Sequence, residues 1–224
     1  MASLLEMLRI ALGRSGVLAG LGLLAWTATE YLRVRARRDP HARWLARDLN
    51  AFDRTARRAF RWQHPAAADI ASDVLAFVVV PFACGWALSQ PDEPVVTMIE
   101  RDGLVVTESA VVAGLANQLA KHVALRERPF AQGQPRRRLL ADRYGSFFSG
   151  HSSSVAVISS ATTIRRLRRG QWSAKLWALP GLSLLVGYLR VAADKHYATD
   201  VICGLGVGAA IGALYALMPT NAHA

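Results

Sequence analysis

The sequence predicts an all-helical bundle that crosses a membrane five or six times and carries a basic amphipathic helix near its N-terminus. Stretches without Asp, Glu, Lys or Arg cover 15–29, 74–91, 109–120, 146–164, 176–189 and 201–224, and about 20 largely apolar residues cross a bilayer core. Six such stretches in 224 residues leave little polar surface to solvate a soluble bundle. Strand signals are scarce: "VVV" and "PVV" are short, no alternation of apolar and polar residues persists, and the apolar runs are rich in Ala, Leu and Gly.

Residues 1–65 divide from 66–224 by composition, the first part being an apolar helix followed by a basic segment, the second a single helical core. The run 15–29 follows Arg9 and Arg14 as the core of a signal peptide would, but no good small-x-small cleavage site comes after it. Residues 33–62 then place Leu45, Leu49, Phe52, Ala56 and Ala59 at helical spacing among arginines. Such a helix lies on a headgroup surface or serves as a solvated linker, and the pattern allows both.

The chain has 24 arginines and 3 lysines against 16 acids, which favours anionic partners. Nucleic acid is set aside, because no aromatics interleave the basic runs and no zinc-finger or RNA-binding signature appears. Cys84 and Cys203 both sit inside apolar runs and read as small core residues. Pro129 and Pro135 begin the longest polar connection after the amphipathic segment, so 129–145 is expected to be loop.

That loop leads into "SFFSGHSSS" (146–154), a polar entrance to an apolar helix, and two other segments also end apolar runs with cationic or proton-transferring groups. In "KHVALRERP" (121–129), Lys121 and Arg128 are spaced to project from one helix face, whereas Arg126 is expected at the surface. In "SGH" (149–151), Ser149, Gly150 and His151 stand where free backbone N–H groups and the positive end of a helix dipole could hold anionic oxygens, or where a serine simply caps the helix. In "RVAADKHYATD" (190–200), Arg190 precedes His196 and Asp200, whose spacing would stack carboxylate and imidazole on one helix face and leave the other ring nitrogen as nucleophile or base.

These segments resemble the signature of the type 2 phosphatidic acid phosphatase superfamily, which includes lipid phosphate phosphatases, acid phosphatases and vanadium haloperoxidases. Its pattern runs K-x6-R-P, P-S-G-H, S-R-x5-H-x3-D. Lys121, Arg128 and Pro129 match the first element, Ser149, Gly150 and His151 the second with Phe148 in place of proline, and Arg190, His196 and Asp200 the third with Leu189 in place of serine. The resemblance covers roughly 100–218.

It implies a phosphoric ester hydrolase in which His196, oriented by Asp200, attacks phosphorus, while His151 protonates the leaving alkoxide and later activates water. Lys121, Arg128, Arg190, the Ser149 hydroxyl and the Gly150 amide would hold the phosphate oxygens, with no metal or other cofactor required. The expected substrate is a lipid phosphate or pyrophosphate, or a small phosphate ester. Oligomeric state is not legible.

A zinc site at His151, His196, Asp200 and His122 is disfavoured by the three cations around it, and a serine hydrolase by the missing G-x-S-x-G elbow. A vanadium-haloperoxidase-like oxidoreductase and a non-catalytic membrane protein binding anionic lipid are the alternatives. The resemblance further implies a bacterial-type plasma membrane with the site on its outer face, and "RRLRRG" (165–170), on the side opposite the motifs, fits an inside loop. The ten arginines of 33–62 fall on the motif side and oppose that orientation.

Overall fold

The computed structural model describes residues 50–132 and 143–218, together with positions 20, 22, 24 and 27. Most of the apolar run 15–29 and the first part of the basic segment lie outside the described residues. Every regular element among those described is helical, as the scarcity of strand patterning predicts.

Helix α1, Ala51–Phe60, is the end of the basic segment and starts where Asn50 Oδ1 accepts from the Asp53 amide at 2.7 Å. Its exit is fixed by Trp62, whose N–H donates to the Ala192 carbonyl at 3.1 Å. Helix α2, Pro65–Leu88, begins on a proline, where the missing N–H costs nothing. A wide π turn at Leu75–Val79 interrupts it just before Pro81, the residue that cannot donate to the turn behind it.

Helix α3, Leu104–Ala124, is entered through the short helix Val95–Met98 and a second π turn, Ile99–Gly103. It stops at Leu125, which adopts a left-handed φ of 41°. Helices α4 (Gly150–Arg168), α5 (Ala178–Ala192) and α6 (Ala198–Leu217) complete the bundle.

Pro65–Leu88, Val95–Ala131 and Ala198–Leu217 are long and apolar enough to cross a membrane. Helix α5 has only 15 residues. Helix α4 is rich in serine and threonine, and Ser152, Ser153, Ser159 and Thr162 are buried inside the bundle. It is the central element, in contact with α2, α3, α5 and α6.

The α4–α6 seam depends on Gly204, Gly208 and Gly212, one helical turn apart. A Cβ at these positions would lie 2.6, 2.3 and 2.3 Å from the carbonyl oxygens of Ser149, Ser153 and Val157. Small residues thus bring the two backbones together, as in membrane helix pairs. Ser160 Oγ adds a hydrogen bond to the Ala209 carbonyl at 2.9 Å.

Beside this seam, Val80, Cys84, Val155, Leu179 and Val186 form a buried apolar cluster. Cys84 is buried, Cys203 half-buried, and both are free thiols. Phe77, Phe82, Trp86, Leu119, Leu184 and Ile202 face outward instead, which suits a lipid surround.

At the far end of α4, buried Asp102 pairs with Arg101, Arg165 and Arg169. At the near end, where α4 and α6 begin, the three sequence segments meet.

Candidate active site

Ser149 is the N-cap of α4: its hydroxyl accepts from the Ser152 hydroxyl at 2.9 Å, and its own N–H donates to the Asp200 carbonyl at 3.0 Å. The polar helix entrance is therefore tied to the start of α6. Gly150 follows in the first turn of α4. A Cβ there would stand 3.0 Å from Asn117 Oδ1 and 3.6 Å from Lys121 Nζ, so the glycine lets α3 bring that cation against the entrance.

Arg128 is not on the helix that carries Lys121. The chain has already unwound at Leu125, and Arg128 is extended (ψ 151°), as the residue before a proline must be. Its N–H donates to the Arg143 carbonyl at 2.8 Å. Its buried guanidinium donates from Nη1 to the Lys195 carbonyl and to His196 Nε2, both at 3.2 Å.

His196 also departs from expectation. It lies in the turn 193–197 ahead of α6, not on a helix, so the i,i+4 stacking on Asp200 does not form. Nδ1 of His196 is 3.8 Å from Asp200 Oδ2, beyond hydrogen-bond reach, and instead lies 2.7 Å from the Ser146 carbonyl oxygen. A carbonyl only accepts, so Nδ1 carries the proton and Nε2 the lone pair. Burial and the cations Arg128, Arg190 and Lys121 hold the ring's pKa well below its usual value.

Asp200 acts one step away. Its Oδ2 accepts from the Ser146 hydroxyl at 2.6 Å and the Tyr197 N–H at 3.0 Å, fixing the irregular segment that supplies the carbonyl to His196. Its other oxygen pairs with Arg126. Arg126 is thus half-buried, not at the surface, because the helix that would have turned it outward ends two residues earlier, at Ala124. It also pairs with Asp53 of α1 at 2.6 Å. Asp53 in turn accepts from the Thr199 N–H at 2.9 Å and the Thr199 hydroxyl at 2.7 Å, capping α6 from outside.

Arg190, near the C-terminus of α5, and His151, in the first turn of α4, meet at α2, where Asp73 contacts both and Asp69 contacts Arg190; neither carboxylate was expected from the sequence. Arg190 Nη1 donates to Asp69 Oδ1 at 2.7 Å and Ser72 Oγ at 2.9 Å, with Asp73 Oδ1 at 3.4 Å. Nε2 of His151 lies 2.7 Å from that Asp73 oxygen, and its ring meets Phe77 edge-on at 5.0 Å. Asp69 also pairs with Lys195 at 2.8 Å. Carboxylates one turn apart at the head of a membrane-length helix were the available signal, since charge there is costly unless partnered.

All eight expected site residues thus gather at one end of the bundle, with Asp53, Asp69, Asp73, Arg126 and Ser146 as supports. Three cationic side chains, a helix entrance and two imidazoles make a cluster that favours a tetrahedral oxyanion and offers one nitrogen lone pair to it.

An 83-residue segment is 35% identical to phospholipid phosphatase 1 of Rattus norvegicus, covering 34% of this chain and 29% of that protein. The match therefore spans less than a third of the relative's length. Residues 102–224, more than half of the chain and including all three converging segments, match the profile of the PAP2 superfamily, and the chain belongs to that family.

Proposed function

We propose that the protein is a metal-independent membrane phosphatase that hydrolyses a phosphate monoester or pyrophosphate of a lipid through a phosphohistidine. The observation that carries this reading is the state of His196: Nδ1–H is committed to the Ser146 carbonyl and Nε2 faces Arg128 at 3.2 Å. In the first step Nε2 bonds to phosphorus as the bond from phosphorus to the lipid oxygen breaks, and His151 gives that oxygen a proton. In the second, His151 takes a proton from water, whose oxygen displaces Nε2 and releases inorganic phosphate.

Lys121, Arg128, Arg190, the Ser149 hydroxyl and the Gly150 amide stabilise the charge on the phosphoryl oxygens. Asp200 positions the nucleophile through Ser146, and Asp73 shares the proton of His151. Metal independence rests on electrostatics, since three cations in one cluster repel a divalent ion as they attract phosphate.

The lipid reading is supported by the membrane-length helices and by the likeness to a phospholipid phosphatase. The arginines at the far end of α4 (Arg165, Arg166, Arg168) support an outer-face site in a bacterial-type plasma membrane. The test is phosphate release in EDTA from phosphatidic acid, phosphatidylglycerol phosphate and a polyprenyl diphosphate, beside water-soluble esters. Turnover of at least one lipid is expected. Activity on soluble esters alone overturns the lipid reading, and inactivation by EDTA overturns metal independence.

A further inference from the structure

Outside the site just described, α1 and the turn after it border a cavity of about 750 Å³ whose lining includes Arg54, Arg57, Arg58, Arg61, Trp62 and Gln132. Two of its arginines are fixed. Arg57 donates from Nε and Nη2 to the two Asp194 oxygens at 2.7 and 2.8 Å and from Nη1 to Gln132 at 2.9 Å, and Arg61 lies 3.3 Å from Asp194. Asp194 holds its place through a left-handed turn (φ 58°) directly before Lys195 and His196. Arg54 and Arg58 stand exposed on α1. Among the described residues, four guanidinium groups thus border the cavity and one carboxylate binds two of them.

The surroundings indicate which anion fits. Phe52, Phe60 and Trp62 are exposed large apolar side chains on and after α1, and Trp62 Nε1 donates to the Tyr188 hydroxyl at 2.9 Å. Arginines beside a Trp and Tyr pair at the end of membrane-length helices lie at headgroup depth. Guanidinium forks match phosphate oxygens in geometry and charge.

We infer that this cleft is a second anion site, separate from the catalytic cluster, that takes the phosphate of an anionic phospholipid headgroup or of a free phosphate. Through Asp194 it shares a turn with His196, so an occupied cleft anchors α1 and the catalytic turn together at the membrane surface.

The test uses the full chain in detergent and measures binding, not catalysis, so its outcome is independent of the proposed reaction. Native mass spectrometry compares retention of phosphatidylglycerol with phosphatidylcholine, and orthophosphate is added as competitor. The wild type should prefer phosphatidylglycerol. In Arg54→Gln/Arg58→Gln its affinity should fall roughly 10- to 30-fold, the effect of two surface cations, while Arg54→Lys/Arg58→Lys retains the preference.

Displacement by orthophosphate in the wild type marks the phosphate group itself as the ligand, and resistance to it marks the lipid headgroup. The inference is overturned if the Gln variant binds like the wild type. It is equally overturned if Arg166→Gln/Arg168→Gln, at the far end of α4, loses as much. Circular dichroism of each variant ensures that the comparison is between folded proteins.

Discussion

Nη1 of Arg128 lies 3.2 Å from Nε2 of His196, so a permanently charged donor meets the lone pair proposed to attack phosphorus. The pairing keeps the nitrogen unprotonated, and the same donor is placed to pass to a phosphoryl oxygen. His196→Ala should lower turnover by at least about a thousandfold and leave no alkali-stable phosphoenzyme in rapid-quench radiolabelling. Arg128→Ala should cost on the order of 10²–10³ in kcat, the usual effect of losing one oxyanion donor, with phosphoenzyme still formed. Phosphoenzyme persisting in His196→Ala would show that another group is the nucleophile.

His151 differs from His196 in its neighbours. Its Nε2 lies 2.7 Å from Asp73, a half-exposed carboxylate able to share a proton. General acid catalysis contributes typically ~10²–10⁴-fold and matters most when the leaving group is poor. His151→Ala should therefore lose more activity on an alkyl phosphate than on an aryl phosphate. Equal losses on both, measured in EDTA, would remove His151 from the acid's role.

Because burial and three cations hold the His196 pKa well below 6.5, the nucleophile stays neutral in mildly acidic solution. Phosphoenzyme formation should not decline as pH falls through about 6.5, the range in which an ordinary histidine becomes protonated. Stability has the opposite dependence. Below about 6.5 the unfolded ring takes up a proton that the native ring refuses, so the contribution present above that pH is lost as pH falls. The thermal midpoint of the wild type should consequently drop relative to His196→Gln between about pH 7 and pH 5. A constant difference across that range would contradict the shift.

The order and internal spacing of Lys121, Arg128, Ser149, Gly150, His151, Arg190, His196 and Asp200 were legible because each segment is local. Their supports were not. Asp69 lies 121 positions from Arg190, and Asp53 lies 73 from Arg126 and 146 from Thr199, so only helix packing brings them together. The expected contact between His196 and Asp200 failed for a different reason: four-residue spacing places side chains together only inside a helix. Here Asp194 turns the chain and Tyr197 caps α6 after the histidine. The same error, a helix continued past Leu125, sent Arg126 to the surface in the sequence reading.

Membrane orientation can be read from two exposed positions at opposite ends of the bundle. Gln63 borders the arginine cleft near the site, and Lys175 lies in the short 3₁₀ turn after α4. If the site faces outward, an impermeant maleimide added to intact cells should label Gln63→Cys above the wild-type background and leave Lys175→Cys unlabelled until lysis. The reverse pattern would put the site inside and make the arginines of 33–62 the dominant topological signal.

The glycine seam links stability to the site. Gly206 is exposed, and a Cβ there would meet nothing within 4 Å, whereas at Gly208 it would lie 2.3 Å from the Ser153 carbonyl oxygen. Gly206→Ala should leave stability unchanged or raise it by up to about 1 kcal/mol, because alanine is the better helix former. Gly208→Ala must push α4 and α6 apart and should cost roughly 1–3 kcal/mol. One turn nearer the site, a Cβ on Gly204 would stand 2.6 Å from the Ser149 carbonyl oxygen. Ser149 and Gly150 begin the helix proposed to hold phosphate, so Gly204→Ala should reduce kcat as well as stability. Unfolding in detergent and turnover of one substrate, measured for all three variants, separate the effects. If Gly204→Ala lowers the thermal midpoint as Gly208→Ala does but keeps wild-type kcat, the seam holds the bundle together without setting the geometry of the site.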